Sequence, residues 1–333
     1  MAGILNHFPP MNGRVMASLT IQTKRLSIKA DVPPRLASGL RRLRNGHLRS
    51  ARPEQDGTKL EFGPTPVLRL ARREVEATVD LFRVVRPPDS SPGGESGAGA
   101  PTLADRVSSL WWYHTIELPE GVVTPGSYDH RRLVPHYGIP EDLTGKRVLD
   151  VATLDGFWAF EFERRGAEVV GVDVARIQDH DLPVPIREAM IREGIDRATG
   201  EGFELAHQAL GSRVKRVEAS VYDLDPTRVG KFDLVHLADL LLHLENPLAA
   251  LRKVRGVTRE SALIVDCFDP TIDSGLSQYL GGWSAVTWWR PSLETLAQMI
   301  IDSGFSEVKV NRIYRLGSRH APGPWRASLL ASV

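Results

Sequence analysis

One stretch in the middle of the chain is ordered as strand, tight turn, helix and strand. Residues 147–152 form a short apolar run of the kind that a buried parallel strand needs, and Gly156 opens a helix after a small polar turn. A second apolar run, 168–174, follows the helix. Each run carries an acid near its end, Asp150 in the first and Asp173 in the second. This order predicts a βαβ unit within a parallel sheet.

The acids and the single glycine indicate which kind of ligand such a turn can hold. An acid about 20 residues past the turn is placed to bind the two hydroxyls of a ribose, and Asp173 has that position. A pyrophosphate needs several glycines for close backbone approach, whereas Asp150 and Asp155 in and before this turn repel phosphate. S-adenosylmethionine, with its cationic sulfonium and no phosphate, suits the turn better. The alternative is an ordinary βαβ unit that binds nothing.

Composition indicates no particular partner. The 333 residues have a formal net charge of +1 and 42% hydrophobic content, which is typical of soluble globular chains. Because Cys267 is the one cysteine, an internal disulfide and a cysteine metal cluster are excluded, and we expect no metal site. No apolar run approaches the ~18 residues of a membrane span, and no signal-peptide pattern is evident. We therefore expect a cytoplasmic protein that does not contact a membrane.

Composition also divides the chain into three parts. Residues 87–101 are rich in Pro, Gly and Ser and predict a flexible linker. Residues 1–86 form a basic region of uncertain fold, since residues 1–74 hold 14 Lys and Arg against 5 Asp and Glu; within them, 18–28 has strand character. Residues 102–333 alternate between strands and helices, which predicts a doubly wound, mostly parallel α/β sheet with a small N-terminal extension or domain. The predicted strands are 147–152, 168–174, 214–221, 232–237, 261–268 and 307–314, and the predicted helices are 156–165, 185–194, 200–211, 240–254 and 291–303.

Several phrases between residues 110 and 315 resemble those of class I S-adenosylmethionine-dependent methyltransferases. More narrowly, they resemble the family grouped with the tRNA wobble-uridine carboxymethyltransferases. The matching phrases are residues 112–119, 124–129, 143–150, 155–158, 163–167, 240–247, 288–292 and 304–305. The resemblance implies a Rossmann-like methyltransferase sheet, S-adenosylmethionine as cofactor and methyl transfer as the activity. Ala152 stands where the family usually has glycine, and Leu154 where a bulky aromatic is common.

The resemblance also implies where the cofactor is held. Asp150 would support the turn and the cofactor's amino group, and Asp173 would bind the ribose. Asp223 would accept a hydrogen bond from the adenine amino group, with Tyr222 or Leu224 packing on the ring. The predicted cofactor-binding residues are Asp150, Ala152, Thr153, Asp155, Gly156, Asp173, Val174, Tyr222, Asp223, Leu224, Leu237 and Ala238.

His243 is the candidate catalytic residue. It lies four residues after Asp239, at the start of a predicted helix, so we expect the two side chains to share a helical face. A histidine there can take a proton from a substrate hydroxyl or amine, although it can equally serve only in local packing. Methyl transfer depends mainly on alignment of donor and acceptor and needs a base only when the acceptor loses a proton.

Three functions follow from the sequence. The first is O- or N-methylation of a small molecule. The second is modification of a tRNA wobble uridine with an ordinary or carboxylated donor, for which the basic run 41–52 offers phosphate contacts. The third is a non-catalytic scaffold that holds the cofactor. We expect the small-molecule acceptor. Tryptophans outside the strands are expected to seal a lid or to stack on a planar acceptor; they are Trp111, Trp112, Trp283, Trp288 and Trp289.

Overall fold

The computed structural model describes residues 17–22, 27–32, 100–284, 286–317 and 323–333. In these residues nine strands form one sheet and two more form a hairpin. The sheet strands are β1 Ala17–Gln22, β2 Ser27–Val32, β3 Arg147–Val151, β4 Glu168–Asp173, β5 Lys215–Glu218, β6 Phe232–Ala238, β7 Thr258–Phe268, β10 Glu307–Arg315 and β11 Trp325–Ser332, and the hairpin is β8 Ser277–Ser284 with β9 Thr287–Pro291. The helices are α1 Leu103–Ser108, α2 Phe157–Arg164, α3 Val184–Arg192, α4 Glu201–Leu210, α5 Pro226–Val229, α6 Pro247–Val257 and α7 Leu293–Asp302.

The sheet order is β1-β2-β10-β11-β7-β6-β3-β4-β5. Strands β5, β4, β3, β6 and β7 run parallel, and β11 is antiparallel to both of its neighbours, β7 and β10. The predicted doubly wound, mostly parallel sheet is therefore confirmed. Chain order reverses between β3 and β6, and open α/β sheets bind ligands outside the carboxyl ends of the strands at such a point.

Helices cover both faces of this sheet because its central strands are apolar on both sides. In β3, Leu149 and Val151 lie in the same buried cluster as residues of α6 and α7. Val148 lies in a second cluster with residues of α2 and α4. This alternation is the period of two that a strand imposes on its side chains. The layers leave the carboxyl edge of the sheet as the place where polar groups gather.

The predicted helix 240–254 is wrong at its start. Residues Leu241–His243 form a short 3-10 turn, and α6 begins at Pro247. Asn246 caps α6, since its side-chain oxygen accepts a hydrogen bond from the backbone of Ala249 at 3.1 Å. Proline at the first helical position has no N–H to leave unbonded, which favours this start. Asp239 and His243 therefore do not share a helical face.

Strand β11 and the β8–β9 hairpin were not predicted from the sequence. In β11 the apolar residues are interrupted by Arg326 and Ser328, yet both side chains are buried. In β8 the pair Gly281–Gly282 reads as a turn, but the structure places both glycines within the strand at positive φ. In β11, pairing with β7 and β10 has overridden the local signals. The two glycines of β8 instead lie in a break of the β8–β9 register, where the local turn signal persists as an irregularity of the strand.

The head is described only in two short strands. Strands β1 and β2 pair antiparallel, and β2 pairs with β10 through Asp31 and Arg312. The sequence had suggested a single strand over residues 18–28, and the structure has β1 and β2 there instead. The basic run 41–52 and the linker up to residue 99 lie outside the described residues. The division into a head of residues 1–86, a linker of 87–101 and a domain of 102–333 stays a prediction.

Candidate functional site

The turn after β3 is bent by residues in the left-handed region of the backbone. Ala152 has a φ of 59° and Leu154 a φ of 47°, where side chains are usually disfavoured. Gly156 has a φ of 86°, and a Cβ there would come within 2.6 Å of the Phe160 ring. The strained turn brings its backbone to the carboxyl edge of the sheet, as a ligand-binding loop requires.

Asp173, at the end of β4, turns its carboxylate back onto this turn. One carboxylate oxygen accepts from the backbone N–H of Leu154 at 2.8 Å, and the other from its neighbour Val174 at 2.8 Å. Burial raises the pKa of Asp173 above its ordinary value, while these hydrogen bonds oppose the rise. Each oxygen keeps a second lone pair. The carboxylate can therefore accept both hydroxyls of a ribose while it holds the turn in place.

The side chain of Asp155 makes a structural contact that the sequence did not predict. One carboxylate oxygen accepts from the backbone N–H groups of Tyr113 at 2.6 Å and His114 at 2.9 Å. Burial raises its pKa to about 7. The side chain therefore fastens the segment of residues 110–130, here called the strap, to the turn. The predicted role of Asp155 in cofactor binding stays a prediction.

Asp150 begins a buried polar row that crosses the sheet. Its carboxylate lies 2.6 Å from Nδ1 of His236 on β6 and accepts from the Thr153 hydroxyl at 2.7 Å. The far nitrogen of His236 lies 3.2 Å from the hydroxyl of Tyr137. This row connects Asp150 to the turn through the Thr153 hydroxyl. The predicted role toward the cofactor's amino group stays a prediction.

The remaining predicted cofactor residues lie along the same edge. Tyr222 and Asp223 lie in a 3-10 turn after β5, with Tyr222 half-buried and Asp223 exposed. Leu224 and Leu237 point into the core, so their backbones are what the edge presents. Ala238, half-buried, closes β6. Together with Ala152, Thr153, Gly156 and Val174, these residues surround the point where the strand order reverses.

A second polar cluster lies above β6, β7 and β11, and the sequence did not reveal it. Asp239, at a left-handed φ of 47°, binds Nε of Arg326 through both oxygens at 2.8 and 2.9 Å. Burial alone would lower the pKa of Arg326, but the Asp239 carboxylate raises it above its ordinary value. The Cys267 sulfur lies 3.7 Å from Asp239. The pair is nearly buried and its charges cancel locally.

Aromatic side chains surround this ion pair. The rings of Tyr113 and Tyr128 lie 4.8 Å apart, and the Arg326 guanidinium lies 5.7 Å from the centre of the Tyr128 ring. Tyr113 and Tyr314 have pKa values raised chiefly by burial and secondarily by Asp239. We call this cluster the acceptor end, and Asp150, Asp155 and Asp173 with their turn the cofactor end. Arg326, which interrupts the mainly apolar residues 325–332, was the sequence signal that could have revealed it.

His243 lies between the two ends but does not contact Asp239 through a hydrogen bond. Its Nδ1 lies 3.0 Å from the carbonyl oxygen of Val286, before β9. Burial lowers its pKa, so the ring is neutral at pH 7. With Nδ1 donating to that carbonyl, Nε2 carries the lone pair. The ring can accept a proton in this state, which keeps its predicted catalytic role as a prediction.

The predicted tryptophans do not all lie outside the strands, since three of the five belong to β8 and β9. Trp112 is 2% exposed and donates to the Val107 carbonyl at 2.9 Å. Trp288 is also buried and donates to the Asp181 carbonyl at 2.7 Å, whereas Trp111 is 40% exposed. In the described part of the chain, no group of three or more His, Cys, Asp or Glu side chains is arranged to hold a metal ion. None of the helices in that part is long and apolar enough to cross a membrane.

The chain is similar to several known proteins. A curated relative, the ubiquinone biosynthesis O-methyltransferase of Nitrosococcus oceani, is 29% identical over 109 residues, which is 33% of this chain. The matched segment spans 37% of that relative's length. Among solved structures, the N-terminal domain of EvdMO1 with SAH bound is 15% identical, with a TM-score of 0.47 over 79% of this chain and 97% of the other. The 1,6-didemethyltoxoflavin-N1-methyltransferase of Burkholderia thailandensis is 19% identical, with a TM-score of 0.37 over 60% and 74%.

A family profile settles the relationship. The profile described as "Methyltransferase domain" matches residues 128–306, from the strap to the end of α7. That match covers more than half of the chain and includes the turn after β3, Asp173 and the Leu241–His243 turn. The chain therefore belongs to the methyltransferase-domain family, and the family resemblance expected from its sequence is confirmed.

Proposed function

We propose that this protein transfers the methyl group of S-adenosylmethionine to an oxygen or nitrogen of a small molecule. The observation that carries the proposal is the carboxylate of Asp173, buried at the end of β4 with one free lone pair on each oxygen and fixed against the turn after β3. This arrangement suits a ribose diol. The buried acids around it suit a cation and disfavour a phosphate.

Each part of the cofactor has a proposed partner in this chain. Asp173 binds the ribose hydroxyls, and Val174 follows at its edge. The turn residues Ala152, Thr153 and Gly156, with the backbone of Asp155, hold the amino-acid tail. On the other side, Tyr222, Asp223 and Leu224 hold the adenine, and Leu237 and Ala238 lie beside the methionine portion. When bound, the cofactor supplies an electrophilic methyl group, and the protein's part is to align the acceptor in line with it.

The acceptor end supports a small, neutral acceptor. The guanidinium of Arg326 is 4% exposed and already paired with Asp239, so its charge is neutralised. A carboxylated donor or an anionic acceptor would need that charge to be free. The strap also covers the site. RNA binding relies on accessible cations, so a covered site favours a small molecule over RNA. The name of the relative from Nitrosococcus oceani, an O-methyltransferase, agrees with this class of acceptor.

Labelling with the methyl donor tests the proposal. The full-length protein is incubated with methyl-labelled S-adenosylmethionine, a small-molecule fraction of a cell extract and, separately, total tRNA. We expect label in the small-molecule fraction and none in the tRNA. Label in tRNA would favour the wobble-uridine alternative. Donor binding in calorimetry without transfer to either fraction would favour a non-catalytic scaffold, and no donor binding would contradict the cofactor assignment.

A further inference from the structure

The chain between β4 and α4 forms a folded insertion that begins directly after Asp173. We call residues 174–199 the cap. Its neck is closed by backbone hydrogen bonds, from Ile177 to the Arg197 carbonyl at 3.0 Å and from Thr199 to the Ala175 carbonyl at 3.0 Å. The cap has its own small core, made of Ile177, Leu182, Ile186, Ala189 and Met190. Because it has a core and a closed neck, the cap is a unit that other parts of the protein can hold as a whole.

One side chain of the cap joins it to the opposite side of the carboxyl edge. A single carboxylate oxygen of Asp181 accepts from the Tyr222 hydroxyl at 2.6 Å and from the Glu245 backbone N–H at 2.7 Å. The Tyr222 oxygen in turn accepts from the Asn246 N–H at 3.1 Å. The Asp181 carbonyl accepts from the indole of Trp288 at 2.7 Å. Three separate segments are thereby fastened to one cap residue.

The bonded groups lie at the two ends of the proposed adenosine site. The cap starts at the ribose acid, Asp173, and Tyr222 belongs to the turn proposed to hold the adenine. Both Asp181 and Tyr222 are half-buried rather than part of a core. Burial and the Asp181 hydrogen bond raise the pKa of Tyr222, so its hydroxyl remains a donor throughout the neutral range. The bond can therefore form and break without opening the hydrophobic core.

We propose that Asp181 is a positioning residue that fixes the Tyr222 ring against the adenine and clamps the cap over the adenosine half of the cofactor. The inference rests on the proposed function, because it assumes that adenosine lies between Asp173 and Tyr222. It assigns to Asp181 a part in cofactor entry and exit that the turn after β3 does not perform. Hydrogen bonds to a charged carboxylate are the stronger kind, which suits a clamp made by one side chain.

Exchange kinetics of S-adenosylhomocysteine on the full-length protein test the clamp. For Asp181→Ala we expect dissociation to be faster by roughly tenfold or more, the usual worth of hydrogen bonds to a charged group, and association to be no slower. Asp181→Asn should restore part of the slow dissociation, because both bonds reach the same oxygen and the amide keeps one carbonyl oxygen that can accept both, although it lacks the charge. Tyr222→Phe should accelerate dissociation, and combining it with Asp181→Ala should add less than its single effect.

A matched control lies in the same cap. The Asp179 carboxylate accepts from the Arg176 N–H inside the cap, so Asp179→Asn should leave both rate constants near wild type. A merely structural role of Asp181 would lower the melting temperature and leave the dissociation rate of the folded fraction unchanged, which would overturn the clamp. Equal dissociation rates for Asp181→Asn and Asp181→Ala would also overturn it. If Asp181→Ala does not fold, Tyr222→Phe alone decides the question, with unchanged dissociation against the clamp.

The failures of the two proposals are distinguishable. Wild-type protein that binds no S-adenosylhomocysteine would contradict the proposed function itself. Wild-type protein that binds it, with variants that exchange at the wild-type rate, would contradict only the clamp.

Discussion

The cofactor end and the acceptor end of the same sheet edge hold buried charge in opposite ways. At the cofactor end, Asp155 and Asp173 are held by backbone N–H groups, which stabilise a carboxylate without cancelling its charge. At the acceptor end, Asp239 is held by the guanidinium of Arg326, which cancels it. The ionised form of Asp173 therefore keeps a charge that can attract a cation such as a sulfonium, whereas the Asp239–Arg326 pair is neutral as a whole and is lined by phenols. The difference favours a charged donor at one end and an uncharged acceptor at the other.

The largest expected effect on stability comes from removing the arginine of the Asp239–Arg326 pair at the acceptor end. Arg326→Met should lower the free energy of unfolding by about 3–5 kcal/mol, because it leaves the carboxylate of Asp239 buried and unpaired. Denaturant unfolding measures the loss. The matched control is Lys146→Met in the exposed pair of Lys146 with Glu260, at 2.8 Å, which should unfold close to wild type. Equal midpoints for the two variants would show that the acceptor end does not depend on this pair.

Acidification should weaken the strap between the two ends. Burial lowers the pKa of His130 from 6.5 to about 4, and its Nδ1 is buried without a hydrogen-bond partner. The unfolded chain therefore binds the proton first, so this contribution to stability is present above pH 6.5 and is lost as pH falls toward 4. At 1.36 kcal/mol per pKa unit, the loss is at most about 3 kcal/mol.

The variant His130→Phe keeps a ring but cannot titrate, so its unfolding free energy should fall less than that of wild type between pH 7 and 4. Asp155 and Asp266 have pKa values raised by burial to about 7 and act in the opposite direction, losing stability as pH rises through 7. Both variant and wild type share those acids, so their contribution cancels in the difference. That difference reports His130 together with its neighbour His114, whose pKa is lowered by burial and, secondarily, by His130. The control is His136→Phe at an exposed ring. Parallel pH profiles for His130→Phe and wild type would contradict the prediction.

His243 stands between the ends and tests whether the acceptor end needs a base. If it takes a proton from the acceptor, His243→Ala should reduce turnover by roughly a hundredfold or more, with cofactor affinity little changed. His243→Gln can still donate to the Val286 carbonyl, so it separates packing from base catalysis. Turnover per folded molecule is measured on the labelled acceptor. Wild-type turnover in His243→Ala would show that no base is needed there and that alignment of donor and acceptor accounts for the catalysis.

At the cofactor end, Asp173→Ala should weaken binding of S-adenosylmethionine by about 1–3 kcal/mol, the usual cost of unpaired hydrogen-bonding groups. Titration calorimetry on the folded variant measures it. Asp129→Ala, whose carboxylate pairs with Arg131 on the surface, is the control and should bind as wild type does. Unchanged affinity in Asp173→Ala would remove the ribose assignment and with it the contrast between the ends.

The smallest expected effect concerns the turn after β3. Ala152→Gly should stabilise the protein by about 1 kcal/mol, since glycine adopts a φ of 59° without the clash that a Cβ causes. Thermal unfolding measures the gain. The same substitution in a helix, Ala159→Gly, should have the opposite sign by a similar amount. A loss of stability in both variants would show that the Cβ of Ala152 contributes packing that outweighs its strain.

The two ends also differ in how well the sequence predicts them. The cofactor end lies mostly within residues 150–156 and at the end of the next strand, so one pattern of strand, turn, helix and strand was enough to single out its acids. The sheet itself was predicted from the alternation of strands and helices over residues 102–333. The acceptor end joins side chains from four distant parts of the chain: the strap, the end of β6, β7 and the last two strands. Neither the hydrophobic periodicity of single elements nor the residues of turns can predict contacts between such distant side chains. Even at the cofactor end, the pattern placed Asp155 but could not show that its side chain binds the strap.

The buried row of Asp150, His236 and Tyr137 has a consequence for variation in this chain. Each member satisfies the next, and all three are at most 2% exposed. Exchange of His236, the central member, for an apolar residue removes one partner from each of the other two, whereas joint exchange of all three for well-packed apolar residues removes the demand altogether. A library that randomises the central position alone should therefore consist mainly of destabilised chains. Related sequences should show the three residues inherited or lost together.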